Sequence, residues 1–225
     1  MIIINGINSE IVQKILHKFL KNNKVIGIYN TKYSGIHHKN LKILKKSQQS
    51  LKQLIKLIDK ESKIVFLDFA AKRDSSLILK FNKTKFLNSI NNNLIGTLNI
   101  IKLILPHMIK NNFGRIIFAS SSTAENGSIG NLGYSATKAA LNGVSGTLAK
   151  EYKNYNITSN ILSLGYFKSR MWTSLPEKNK KYLMNNTLKN NFCDEKAIYE
   201  IIKVIIKFNT INMSKISIDG GNLLK

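Results

Sequence analysis

The feature that most constrains this chain is the alternation of short apolar runs with amphipathic stretches, which begins at its first residues. MIIINGINSEIVQKILHKFLKNNKVIGIYN reads as strand, turn, amphipathic helix and second strand. Apolar strands joined by helical crossovers pack as a parallel sheet with helices on both faces. The pattern therefore predicts an α/β fold, a doubly wound parallel sheet flanked by helices. At 225 residues the chain is long enough to bury a core of its own, and no second domain is needed.

A second segment carries chemistry. RIIFASSSTAENGSIGNLGYSATKAALNGVSGTLAKEY is a short apolar run, a polar glycine-bearing loop and an alanine-rich stretch of helical periodicity. Ser121 falls at the strand end. If Tyr134 opens the helix, Lys138 lies one turn later on the same face. A free tyrosine has a pKa of about 10, and a fixed positive charge nearby favours the phenolate. Lysine would thus tune tyrosine towards acid-base work, while serine holds a carbonyl oxygen. Such a site lacks a hydride donor, which must be a cofactor. A tyrosine four residues before a lysine is common in so lysine-rich a chain, and Tyr199 and Lys203 repeat it. Context separates the pairs: thirteen residues before Tyr199 stands Asn186, and thirteen before Tyr134 stands Ser121.

These residues resemble the short-chain dehydrogenase/reductase family, closest to the branch of 3-oxoacyl-carrier-protein reductases, over nearly the whole chain. The resemblance implies a single Rossmann-type domain over 1–225, with 1–92 mainly the dinucleotide-binding half and 93–225 the catalytic and substrate half. It places the family's serine, tyrosine and lysine on Ser121, Tyr134 and Lys138. Its asparagine, which sits at a helix distortion and helps hold a water near the lysine, falls on Asn93 in SINNNLIGTLNII. NITSNILSLGYFKSRMW resembles the strand and loop that close over the nicotinamide. There Leu164 and Gly165 stand for a proline-glycine pair, Phe167 offers backbone groups and Ser169 replaces a threonine. Trp172 and Leu175 fall in the lid, and KISIDGGNLL resembles the last strand and its turn. The implied activity is hydride transfer between a nicotinamide and a carbonyl or secondary alcohol, on a 3-oxoacyl thioester or a sugar derivative. Family members assemble as homodimers or homotetramers through the helices carrying Asn93 and Tyr134.

The amino terminus departs from that pattern. In the family's T-G-x-x-x-G-x-G register, Gly6 is kept, Asn5 replaces the threonine, Glu10 the second glycine and Val12 the third. Gly6, Asn8 and Ser9 would form the phosphate loop. Val12 is branched where close helix-sheet packing is expected, and Glu10 puts a carboxylate in the first helical turn, where a phosphate would sit. The segment after the fourth strand, asparagine-asparagine-alanine-glycine in the family, is Asp68, Phe69, Ala70 and Ala71, with Ala70 expected against the cofactor. Tyr29, Asn30, Thr31 and Lys32 offer no acid for the adenosine ribose, and with Lys32 nearby this slightly favours NADP(H) over NAD(H). The aspartate near the adenine is replaced within Leu44, Lys45 and Lys46, which implies an unusually basic adenine pocket.

Composition bounds the remaining readings. The net charge of +23 is spread over nearly every helix and loop, with few arginines, and with the isoleucine and asparagine content it looks like the codon bias of an AT-rich genome. Interleaved basic and aromatic stretches suited to nucleic acid are lacking, so no nucleic-acid partner is expected. The basic surface would instead attract anionic substrates, including phosphorylated sugars or an acidic carrier protein. The first strand begins at Ile2 and no apolar run spans a bilayer, so a cytoplasmic protein without membrane contact is expected. One cysteine, Cys193, and the scattered His17, His37, His38 and His107 give no metal site. A different class, a binding or regulatory protein on the same scaffold with an impaired nucleotide site, is motivated by the altered glycine loop.

Overall fold

The computed structural model describes residues 1–73, 76–167, 170–173, 176–185, 188 and 192–221. The chain runs β1 (Ile2–Asn5), α1 (Glu10–Leu20), β2 (Val25–Tyr29), β3 (Leu41–Lys45), α2 (Gln48–Leu57) and β4 (Ile64–Asp68). A 3-10 turn (Ile78–Lys80) leads to α3 (Lys83–Ile90), a π-helical turn (Asn91–Ile95) and α4 (Gly96–Lys110). Then follow β5 (Gly114–Ser121), α5 (Thr123–Asn126), α6 (Leu132–Glu151), β6 (Ile157–Leu164), α7 (Arg170–Thr173), α8 (Glu177–Asn185), α9 (Glu195–Lys207) and β7 (Lys215–Ile218).

The strands form one seven-stranded sheet in the order β3-β2-β1-β4-β5-β6-β7, and every pairing is parallel. Alternate residues of a strand point to opposite faces, and here both faces are dry. Ile2, Ile4, Val65, Leu67, Ile117 and Leu162 pack with Val12, Ile15, Leu16 and Phe19 of α1 and with Ile198, Ile202 and Ile205 of α9. Ile3, Ile26, Ile28, Phe66, Ile116 and Phe118 pack on the other face against α4 and α6. This is why the strands read as unbroken apolar runs. Each fully buried Ile, Leu or Phe contributes about 1.5–3 kcal/mol. Arg115, 3% exposed, acts as a staple between layers. Its Nε donates to the Ile206 carbonyl of α9 at 3.1 Å and its Nη1 to the Gly114 and Asn156 carbonyls, each at 2.8 Å.

The strand order reverses between β1 and β4. Connections diverge to opposite faces there and open a crevice at the carboxyl ends of the strands. Gly6 turns the chain at that point with φ +83°, and a Cβ on it would meet the Phe69 carbonyl carbon and the Ala70 nitrogen at 2.6 Å. No side chain fits between these two backbones. Gly6→Ala is expected to destabilise the protein by about 2 kcal/mol or more, from left-handed strain plus a backbone shift. Urea denaturation of variant and wild type measures it.

Candidate active site

Three elements deliver the candidate side chains to the carboxyl end of the sheet. Ser121 is the last residue of β5, and the polar loop after it returns the chain so that α6 starts at Leu132, two residues before Tyr134. Lys138 lies one turn further on. Ser121, Tyr134 and Lys138 meet on the wall of a cavity of about 650 Å³, and exposures of 8%, 6% and 2% show how dry that wall is. The Lys138 Nζ donates to the Ala119 carbonyl at 2.7 Å and to the Ala70 carbonyl at 3.0 Å. An ammonium has three N–H donors, so one remains for a ligand or water. The Ser121 Oγ accepts from the Thr123 backbone N–H at 3.3 Å and from the Thr123 hydroxyl at 3.2 Å, and it hydrogen-bonds with Tyr134.

Burial by itself pushes the Tyr134 phenol up. The Lys138 and Arg73 charges, with hydrogen bonds from Arg73 and Ser121, outweigh burial and hold the phenol below its ordinary value. The Lys138 Nζ lies 5.9 Å from the centre of the Tyr134 ring, and the Arg73 guanidinium carbon lies 4.5 Å from it. Tyr166 and Tyr182 line the same cavity. Burial, then the neighbouring Tyr182, raise Tyr166, so it stays a neutral phenol. Burial also pushes the Cys193 thiol up to about 12, which keeps it an inert thiol.

Asn93 sits on the π-helical turn, where the Gly96 N–H reaches back to the Asn91 carbonyl. Such turns are rare and concentrate at functional sites. The Asn93 amide does not reach Lys138. Its Oδ1 accepts from the Lys72 N–H at 2.7 Å, and its Nδ2 donates to the Lys72 carbonyl at 2.9 Å and to the Thr137 hydroxyl at 3.2 Å. Both backbone groups of Lys72 are thereby pinned. The loop so fixed carries Ala70, which holds Lys138, and Arg73, which overlies Tyr134. Behind it, Asp68 is fully buried. Its Oδ1 accepts from Asn5 Nδ2 at 2.7 Å and from the Ala70 N–H at 3.3 Å, and its Oδ2 accepts from the Thr97 hydroxyl at 3.2 Å. The two departures noted in the sequence, Asn5 and Asp68, are thus hydrogen-bond partners.

A second cavity of about 410 Å³ adjoins the first and shares Ser9, Phe69 and Ala71 with it. Gly6, Asn8, Ser9, Asn30 and Ala70 all line it, and so does Asn93. Phe167 lines the first cavity instead, its ring under the Lys14 ammonium at 4.5 Å. Ser169 and Leu175 lie outside the described residues. Lys32, expected beside the nucleotide ribose, is not among the lining residues, although its carbonyl accepts from Asn8 Nδ2 at 2.7 Å. The cations that line the cavity are Lys46 and Lys72. The Lys46 Nζ donates to the Asn92 carbonyl at 2.9 Å, and burial lowers its pKa, partly offset by Asp68. Sequence spacing did not single out Arg73, Lys72, Tyr166 or Tyr182.

A nicotinamide dinucleotide suits this donor set. Two joined cavities meet at the turn where Gly6 leaves no space for a Cβ, the start of α1 faces them at Ser9, and Lys138 keeps one N–H for a ribose hydroxyl. Glu10, in the first turn of α1, is the one carboxylate on the lining of these cavities among the described residues.

Comparison with known proteins agrees with the geometry. The family model for short chain dehydrogenases matches residues 37–180, beginning beyond the altered glycine loop. The 3-oxoacyl-[acyl-carrier-protein] reductase of Thermotoga maritima is 27% identical over 178 residues, covering 77% of this chain and 72% of that enzyme. The enzyme of the same name from Buchnera aphidicola is 30% identical over 151 residues, 67% of this chain and 61% of that one. Sorbitol-6-phosphate 2-dehydrogenase from Erwinia amylovora superposes with a TM-score of 0.85 at 21% identity, over 98% of each chain, and shows the shared fold. The chain belongs to the short-chain dehydrogenase/reductase family, the oxidoreductases that exchange hydride between a nicotinamide cofactor and a carbonyl or alcohol. Among the described residues no group of three His, Cys, Asp or Glu side chains is placed to hold a metal, and no helix is long and apolar enough to cross a membrane.

Asp68→Asn tests the buried network. The amide oxygen can accept from Asn5 and Ala70, and the amide nitrogen can donate to Thr97, whose hydroxyl already reaches the Asn93 carbonyl at 3.2 Å. Burial raises the Asp68 carboxyl against the opposing Lys138 and Lys46 charges and the Asn5 and Ala70 hydrogen bonds. Folding therefore favours its protonated form. Wild-type stability falls as pH rises from the ordinary carboxylate range, about 4, through that raised value. Asp68→Asn escapes this loss, so thermal unfolding should show parity near pH 4 and a more stable variant at pH 7.

Proposed function

We propose that this protein is an NADP(H)-preferring oxidoreductase that reduces a carbonyl, or oxidises the matching secondary alcohol, with Tyr134 as the proton donor or acceptor. The observation that carries the reading is the Tyr134 phenol, hydrogen-bonded to Ser121 and held below its ordinary pKa by Lys138 and Arg73. Bound in the two cavities, the nicotinamide would supply or accept the hydride at the substrate carbon. The residues do the rest. Ser121 orients the substrate oxygen, and Tyr134 gives that oxygen a proton in reduction or takes one in oxidation. Lys138 keeps the phenol acidic and offers its remaining N–H to a ribose hydroxyl. Asn93 fixes the loop that holds Lys138. Gly6, Asn8, Ser9, Asn30 and Ala70 hold the adenosine and phosphate part, and Phe167 and Ser169 the nicotinamide end.

The NADP preference is supported by the absence of an acid from Tyr29 to Lys32 and by Lys46 and Lys72 on the second cavity. Two relatives named as 3-oxoacyl-[acyl-carrier-protein] reductases favour a 3-oxoacyl thioester on an acidic carrier protein, which the net charge of +23 would attract. A sugar derivative is the other substrate class, and salt separates them: a carrier-borne substrate loses rate steeply as ionic strength rises. The whole chain forms one domain, and we place it in the cytoplasm as a homodimer or homotetramer. Exposed apolar side chains beside α3 and α6, among them Ile78, Leu79, Ile129 and Leu132, support the assembly. Glu10 and Val12 favour a second reading, a regulatory protein that no longer turns over.

Titration with NADPH and NADH, followed by nicotinamide fluorescence, distinguishes the two readings. Saturable binding, tighter for NADPH, is expected. Tyr134→Phe should lower turnover at least about 100-fold while cofactor affinity stays within about twofold. Glu10→Gln removes a charge from the start of α1 and should tighten NADPH about two- to fivefold. A folded protein that binds neither cofactor belongs to the regulatory reading, and a Tyr134→Phe variant with wild-type turnover contradicts the mechanism.

A further inference from the structure

Arg73 is more than a second charge beside Tyr134. The chain has three arginines among 35 basic residues, so lysine is its default cation. Two of those arginines, Arg73 and Arg115, have described side chains. Arg115 spends its fork on buried carbonyls. Arg73 is exposed, lies on the loop pinned by Asn93, and lines the cavity together with Ser121, Trp172 and Tyr182. Its guanidinium carbon lies 4.5 Å from the Tyr134 ring centre, and its side chain hydrogen-bonds with that tyrosine.

A substrate oxygen that shares a hydrogen with Tyr134 therefore arrives beside this guanidinium. The fork matches a carboxylate or phosphate with two parallel hydrogen bonds, a match that an ammonium lacks. The surrounding charge is favourable to an anion. Lys138 lines the cavity from α6, Tyr166 and Tyr182 line it as well, and Glu10 at the start of α1 is the opposing carboxylate. Asp68 lies behind Lys138 and already has Asn5, Thr97 and Ala70 as donors.

We propose that Arg73 anchors an anionic group of the substrate, a carboxylate or phosphate held within a few bonds of the reacting carbonyl. The proposal rests on Tyr134 as the group that meets the carbonyl oxygen, yet anion binding needs no nicotinamide and is measured without it. Trp172 is the single tryptophan of the chain and lines the same cavity, so its fluorescence reports occupancy directly.

The experiment titrates cofactor-free protein with two matched pairs: acetoacetate against its ethyl ester, and dihydroxyacetone phosphate against dihydroxyacetone. Wild type, Arg73→Met and Arg73→Lys are compared, each shown to be folded by thermal unfolding. In wild type the anionic member of at least one pair is expected to bind about tenfold or more tighter than its neutral partner. Arg73→Met should erase that difference, and Arg73→Lys should keep part of it. Preference within the first pair alone identifies a carboxylate, and within the second alone a phosphate. Equal binding of anionic and neutral partners, no binding by any of the four, or a preference that survives Arg73→Met overturns the proposal. An anion preference in a protein that binds no nicotinamide would keep this inference and remove the oxidoreductase reading; nicotinamide binding without anion preference would do the reverse.

Discussion

The buried ammonium of Lys138 is the interaction on which the site depends. Taking an ammonium out of water costs several kcal/mol unless fixed partners replace its hydration. Here the carbonyls of Ala119, at 2.7 Å, and Ala70, at 3.0 Å, supply two charge-assisted hydrogen bonds. One carbonyl belongs to β5 and the other to the loop after β4, so the charge sits across these neighbouring strands, beside the reversal of strand order. Anything that moves either backbone moves the charge relative to Tyr134.

The surrounding structure keeps those carbonyls in place. Asn93 grips the backbone of Lys72 through both ends of its amide, and Asp68 accepts from the Ala70 N–H. Thr97 joins the two, reaching the Asp68 carboxylate and the Asn93 carbonyl, each at 3.2 Å. Asn5 brings the glycine turn into the same network. The glycine turn, the π-helical turn and Lys138 are therefore one hydrogen-bonded unit. Its excess of positive charge, from Lys46, Lys72, Arg73 and Lys138, suits an anionic cofactor and an anionic substrate alike.

Much of this was legible in the sequence, and for physical reasons. Parallel strands buried on both faces must be apolar throughout, so β1, β4 and β5 announce themselves. Ser121, Tyr134 and Lys138 are linked by one strand, one loop and one helical turn, so spacing alone brings them together. Asn93 was found by register with the family, because nothing in an asparagine run marks a π-helical turn. The bond between Asn5 and Asp68 was not legible, since it joins residues on different strands far apart in the chain. Of the basic residues the sequence places near the nucleotide, Lys46 lines the second cavity and Lys32 does not, while Lys72 lines it unannounced, because where a side chain points after a strand is set by packing that spacing does not carry. Arg73 was passed over for the same reason: its meaning lies in the ring it stacks on, which belongs to α6.

The positive charges of Lys138 and Arg73 hold the Tyr134 phenol below its ordinary pKa. Ultraviolet titration of tyrosinate in wild type and Tyr134→Phe, taken as a difference between the two proteins, isolates this residue from the other tyrosines. The expected result is a phenol that ionises below the ordinary value of about 10 and vanishes in the variant. A Tyr134 that titrates at or above that value in the folded protein would contradict it.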